Sequence, residues 1–135
     1  MSTVRNTLGK EKRLKSRKII DGLFKGGKSF SVFPFRVIYR IEDTGDAATK
    51  AGFSAPAKKF KKAVDRNRIK RLTREAYRLN QHDLNNAITL AGKRLSVFFI
   101  YTGKELPDQS LVTLKISVIL QQLIKKIHES GPSNS

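Results

Sequence analysis

Between Asp65 and Leu79 the chain places two opposed demands on one segment. At 100° per residue, Ile69, Leu72, Ala76 and Leu79 fall on one apolar row of a helix. Asn67, Arg71, Arg74 and Arg78 fall on a nearly opposite stripe, with Arg66 and Lys70 beside it. Such a helix can be neither fully buried nor left alone: one face needs a core, and the other needs water or anions. Asp65 is placed to cap it, and Glu75, the lone acid along the charged face, is spaced to pair with a neighbouring arginine.

The rest of the sequence can supply that core. Its 135 residues suit one compact domain, and 39% of them are hydrophobic, with eight Phe and three Tyr, which excludes a disordered basic tail. Lys and Arg number 28 against 11 Asp and Glu, a net charge of +17. The excess is concentrated: nine basic and two acidic residues lie from Met1 to Lys28, and ten basic and two acidic from Lys58 to Arg78. Two segments of this kind imply one surface for a polyanion, because charge spread for solubility would not cluster so. The absence of Cys excludes disulfide scaffolds, thiolate metal sites and Cys nucleophiles. With no run of about 20 apolar residues and no apolar secretory core at the amino terminus, the expected location is the cytoplasm.

Along the chain, residues 1–12 read as a flexible basic arm, 13–129 as a single RNA-binding α+β domain, and 130–135 as a disordered tail. Ser16 caps a short helix carrying Ile19, Ile20, Leu23 and Phe24, stopped by Gly26 and Gly27. Strands follow at Ser29 to Phe33, Phe35 to Ile41 and about Lys50 to Ala55, with Pro34 breaking the first pair and Pro56 ending the third. After the basic helix, Gln81 to Leu90 either continues it or forms another. Gly92 stops the chain before Leu95 to Tyr101, the most apolar strand and therefore a central one. Val112, Ile116, Ile119, Leu120, Leu123 and Ile127 mark a terminal helix from Ser110 to Glu129. The order is αβββαβα, a four-stranded sheet with helices packed on it as a two-layer sandwich.

Lys58, Lys59, Lys61 and Lys62 lead directly into the basic helix, adding a second phosphate-binding element to Arg66, Asn67, Arg68, Lys70, Arg71, Arg74 and Arg78. DNA binding and a ribosomal structural role share this charge pattern. Phe35, Val37, Tyr39 and Ile41 share one strand face; they suit either a core or a surface for unstacked bases, with Tyr39 the best placed for a wet edge. Gly22 to Ser29 matches the phosphate-loop pattern of nucleoside triphosphatases letter by letter. That loop requires a strand before it and a helix after it, and here the order is reversed. The acids are scattered, and His82 and His128 are isolated, so no catalytic residue or metal site is expected in the protein.

The stretch Ala63-Val64-Asp65-Arg66-Asn67-Arg68-Ile69-Lys70-Arg71-Leu72-Thr73-Arg74-Glu75-Ala76-Tyr77 closely resembles the Arg-Asn-Arg signature of the bacterial ribonuclease P protein subunit. The resemblance extends to Arg13-Leu14, the helix ending at Phe24, Tyr39, Gly52-Phe53-Ser54 and Phe99-Ile100-Tyr101-Thr102-Gly103-Lys104. It implies a fold like the second domain of the small-subunit ribosomal protein five family, with a left-handed βαβ crossover. It also implies an accessory subunit of a ribozyme that removes 5′ leaders from precursor tRNA, the catalytic RNA binding the Mg²⁺ and doing the cutting. By the family pattern Arg66, Asn67, Arg68, Lys70, Arg71 and Arg74 contact the catalytic RNA. A cleft that includes Arg13, Arg17, Ile20, Phe24, Phe35 and Tyr39 takes the leader, Ile20 standing where many relatives carry Phe.

Overall fold

The computed structural model describes residues 25–43 and 47–130. The expected arm, the helix from Ser16 to Phe24 and the tail from residue 131 lie outside the described residues, as do Arg13, Arg17, Ile20 and Phe24. The described elements are β1 (Lys28–Val32), β2 (Phe35–Glu42), β3 (Ala48–Ser54), α1 (Ala63–Asn80), α2 (His82–Ala91), β4 (Arg94–Tyr101) and α3 (Gln109–Glu129). They form an α+β fold whose single sheet has the order β1-β2-β4-β3. β1 and β4 both run antiparallel to β2, while β3 runs parallel to β4. A strand rather than a helix leaves Lys28, which removes the structural context a triphosphatase loop requires.

β2 and β4 are the internal strands, and their alternation sets the core. Phe35, Val37 and Tyr39 face Leu95, Val97, Phe99 and Tyr101 on the helix-covered side. Ile38 and Phe98, directly paired on the opposite face, form a second, smaller apolar cluster with Ile100. Period-two reasoning applied to β2 had no place for this pair, because Ile38 occupies a position that strict alternation gives to solvent.

On α3, Val112, Ile116, Ile119, Leu120, Leu123 and Ile127 are all buried, the full apolar row expected. Asp108 starts the helix by accepting the Leu111 N–H at 2.8 Å. α1 differs from expectation in two respects. It begins at Ala63 with Lys62 in the capping position, so Asp65 lies in the first turn and does not cap. Its buried row is Ile69, Thr73, Ala76 and Tyr77, whereas Leu72 is half-buried and Leu79 is 62% exposed. The apolar stripe is therefore rotated toward Tyr77, a larger side chain than Leu79, and Thr73 is accommodated because its hydroxyl donates to the Ile69 carbonyl at 2.8 Å. α2 is a separate helix that ends on Gly92, whose φ of 67° allows its N–H to reach the carbonyls of Ile88 and Thr89.

Lys93, only 3% exposed, places its Nζ 2.7 Å from Asp43 Oδ1, and its carbonyl accepts the Ala48 N–H. The pair ties the β2–β3 connection to the entry of β4. Asp43→Ala leaves the buried ammonium without its carboxylate and is expected to lower unfolding free energy by about 1–3 kcal/mol. Lys93→Met, which removes the buried charge itself, is expected to cost less. Urea unfolding midpoints at unchanged m-value check this, and equal losses for the two variants would contradict it.

Candidate nucleic-acid interface

Phe60 organises the lysine loop. It is buried among the core residues, with its ring 5.9 Å from that of Tyr101, and the flanking Lys58, Lys59, Lys61 and Lys62 are exposed. One apolar residue inside a lysine run is the sequence signal for a loop anchored at its centre with its charges turned outward. Arg66 holds the same loop from the helix side: its Nη1 donates to the carbonyls of Phe60 and Lys61, both at 2.8 Å. Lys59 Nζ donates to the Thr102 carbonyl at 2.7 Å.

The basic residues of α1 therefore divide by role. Asn67, Arg68 and Arg71 are exposed and, with Val64 and Asp65, line a groove of about 890 Å³ that continues over Leu106, Pro107 and Asp108. Lys70 is half-buried at the flank. Arg74 leans back toward the sheet, its guanidinium carbon 5.9 Å from the centre of the Phe53 ring. Arg78 pairs with Glu75, Nη2 to Oε1 at 2.6 Å, which gives Glu75 the intrahelical partner expected for it and identifies which arginine it is. Arg66, expected among the outward-facing contacts, is half-buried and uses its Nη1 as a clamp on the loop.

A second concavity, about 590 Å³, lies between β1, β2 and the end of α3. Its walls include Lys28, Ser29, Tyr39, Arg40, Lys126 and Glu129. Tyr39 is 6% exposed, meets Phe30 edge-on at 5.8 Å, and has Lys126 Nζ 5.9 Å from its ring centre. Burial holds its hydroxyl above the ordinary phenol value, with Lys28 opposing the shift and Glu129 adding to it. With its ring enclosed, Tyr39 can serve the concavity through its polar edge more readily than through an open stacking face. Phe35, expected in the same cleft, is 1% exposed and packs edge-on against Tyr101 at 5.4 Å; it belongs to the core because it stands on the helix-covered face of an internal strand. Lys126, which sequence reasoning passed over, reaches this site from the last turns of α3.

Among the described residues, no three His, Asp or Glu side chains come together to hold a metal ion, and no helix is long and apolar enough to cross a membrane. The fold and its surface together define a class: a small α+β domain with a four-stranded mixed sheet and one helix that turns a cationic face outward. The ribonuclease P family pattern matches residues 8–124. The chain is 38% identical over 128 residues to the ribonuclease P protein component of Porphyromonas gingivalis strain ATCC 33277, covering 94% of this chain and 93% of that one. It is 30% identical over 129 residues to the protein component of Chlorobium phaeobacteroides, covering 87% and 88%. Among solved structures, the Thermotoga maritima RNase P protein superposes with a TM-score of 0.62 at 27% identity, over 82% of this chain and 96% of that one. The Staphylococcus aureus RNase P protein, at 23% identity and a TM-score of 0.53, shares the fold over 91% of this chain and 98% of its own. The chain belongs to the ribonuclease P protein component family.

Removing the Arg66 clamp tests how the lysine loop is held. Arg66→Ala is expected to raise amide hydrogen exchange across residues 58–62 while leaving exchange in β4 unchanged. Unaltered exchange in the loop would show that Phe60 alone fixes it.

Proposed function

We propose that this chain is the protein subunit of ribonuclease P, binding the catalytic RNA and the 5′ leader of precursor tRNA to assist endonucleolytic removal of the leader in the cytoplasm. The observation that carries the reading is the exposure of Lys58, Lys59, Lys61 and Lys62 on the anchored loop that leads into α1, followed by the exposed α1 side chains Asn67, Arg68 and Arg71. Arginine forks and lysine ammonium groups neutralise phosphates and release counterions, which holds a folded RNA in register without reading its sequence. Family membership supports the same reading.

The phosphodiester hydrolysis is assigned to the RNA subunit and the Mg²⁺ ions it binds. The engagement of several protein carboxylates supports this: Glu42 lies 3.4 Å from Arg40, Asp43 pairs with Lys93, Glu75 pairs with Arg78, and Asp108 caps α3. The protein's part is electrostatic and positional. Neutralising RNA phosphates lowers the repulsion that precursor tRNA meets on approach, and a contact made to the leader is lost once the leader is removed, which favours precursor over product. The concavity bearing Tyr39, Lys28, Arg40 and Lys126 is assigned to the leader.

Reconstitution tests the reading: protein, RNA subunit and labelled precursor tRNA at low Mg²⁺, with each component omitted in turn. Cleavage that needs the RNA and is enhanced by the protein supports it, whereas cleavage by RNA-free protein, or no effect of the protein, contradicts it. With about six phosphates neutralised, log affinity for the RNA subunit should fall with log salt at a slope of roughly −4 to −5, and Arg71→Ala should reduce that slope by about 1. Tyr39→Phe, which keeps the ring and removes the hydroxyl, should reduce the preference for precursor over mature tRNA by about 2–10-fold, the worth of one hydrogen bond. Equal loss for both tRNAs would remove the leader from this site.

A further inference from the structure

A third concavity, about 640 Å³, opens at the other end of β2, where Phe33, Pro34, Tyr101, Leu106, Pro107 and Leu111 form its apolar walls. Its size is within the range of small-ligand sites, roughly 300–1,000 Å³. Three chain segments are held together here. The Thr102 N–H and hydroxyl both donate to the Pro34 carbonyl, at 2.7 and 3.0 Å, and Lys59 from the lysine loop donates to the Thr102 carbonyl. The floor is also fixed: Tyr101 donates its hydroxyl to the Glu105 carbonyl at 2.6 Å, and a Cβ on Gly103 would come within 2.6 Å of Tyr101 Cζ. Phe33 stands at the rim, 74% exposed, a large aromatic surface on an otherwise braced turn.

Charge at this pocket selects what it can hold. Lys104 and Lys115 are balanced by Glu105 and Asp108 around the lining, so the interior does not favour an anion. Yet Leu106, Pro107 and Asp108 also line the neighbouring groove of Asn67, Arg68 and Arg71. Asp65 and Asp108 balance Arg68 and Arg71 within that groove, so what it offers a phosphate is the exposed donor forks of the two arginines and the Asn67 amide rather than a net charge. An apolar slot opening beside those donors fits a neutral aromatic group attached to a phosphate backbone.

We propose that this pocket receives one unstacked base of the RNA subunit, stacked on Phe33, while the adjoining phosphates lie on Asn67, Arg68 and Arg71. The proposal rests on the reading of α1 as the face that grips that RNA, and it adds a nucleobase site to a surface otherwise used for backbone contacts. Stacking on an aromatic side chain tolerates any base, so the contact strengthens and orients binding without requiring a sequence.

The test uses the full chain and the RNA subunit. Phe33→Ala should weaken binding about tenfold with an unchanged salt slope, because a stacked base is lost and no phosphate contact is. Phe33→Trp should retain affinity. Arg71→Ala in parallel should weaken binding and flatten the slope. Unchanged affinity for Phe33→Ala while Arg71→Ala weakens binding would overturn the base pocket and leave the phosphate face standing. No effect of either variant would overturn both. Ultraviolet cross-linking of the complex formed with precursor tRNA, followed by mass spectrometry of the peptide containing Phe33, identifies the source of the base: an adduct from the RNA subunit supports the proposal, and one from the leader alone overturns it.

Discussion

The packing of α1 against the sheet determines where the charge can go. Tyr77 and Phe99 meet at 5.7 Å, Phe53 stacks on Phe99 at 5.5 Å, and Phe53 meets Tyr77 at 5.9 Å, a closed aromatic triangle joining α1, β3 and β4. With Ile69, Thr73 and Ala76 buried alongside Tyr77, the helix cannot rotate without withdrawing a large aromatic from the core. Asn67, Arg68 and Arg71 are thereby held outward. A chain of +17 is subject to self-repulsion when compact, and this triangle works against it at the place where basic residues are dense.

The same logic spreads outward from β4. Its last residue, Tyr101, and the Thr102 that follows meet the lysine loop through Phe60 and Lys59, the β1–β2 turn through Thr102, and the approach to α3 through the Tyr101 hydroxyl. One internal strand thus fixes three loops at a single end of the sheet. Loops positioned by a rigid scaffold are where binding surfaces commonly arise, and here the scaffold brings the groove of Asn67, Arg68 and Arg71 and an apolar pocket side by side.

Much of this was legible in the sequence. The buried row of α3 and the two-sided character of α1 follow from spacing, the internal position of β4 from its apolar composition, and an intrahelical ion pair for Glu75 from its place among arginines, though not which arginine it would take. What was not legible depended on partners distant in the chain. Arg66 and Arg71 are alike by composition, yet one is drawn to the carbonyls of Phe60 and Lys61 while the other faces outward. Phe35 and Tyr39 share a strand face, but only Tyr39 borders a concavity, because Phe35 is closed off by Tyr101. The rotation of the α1 stripe toward Tyr77 reflects Phe53 and Phe99, which no helical period could reveal.

The central claim is that the outward face of α1 and the lysine loop grip the RNA subunit. Backbone amide resonances of the isotopically labelled full chain, followed by NMR during titration with that RNA, test it most directly. The account predicts the largest shifts or broadening at residues 58–62 and at Asn67, Arg68 and Arg71, reversed by added salt. Changes confined to the far face of the sheet, around Ile38 and Phe98, would contradict it.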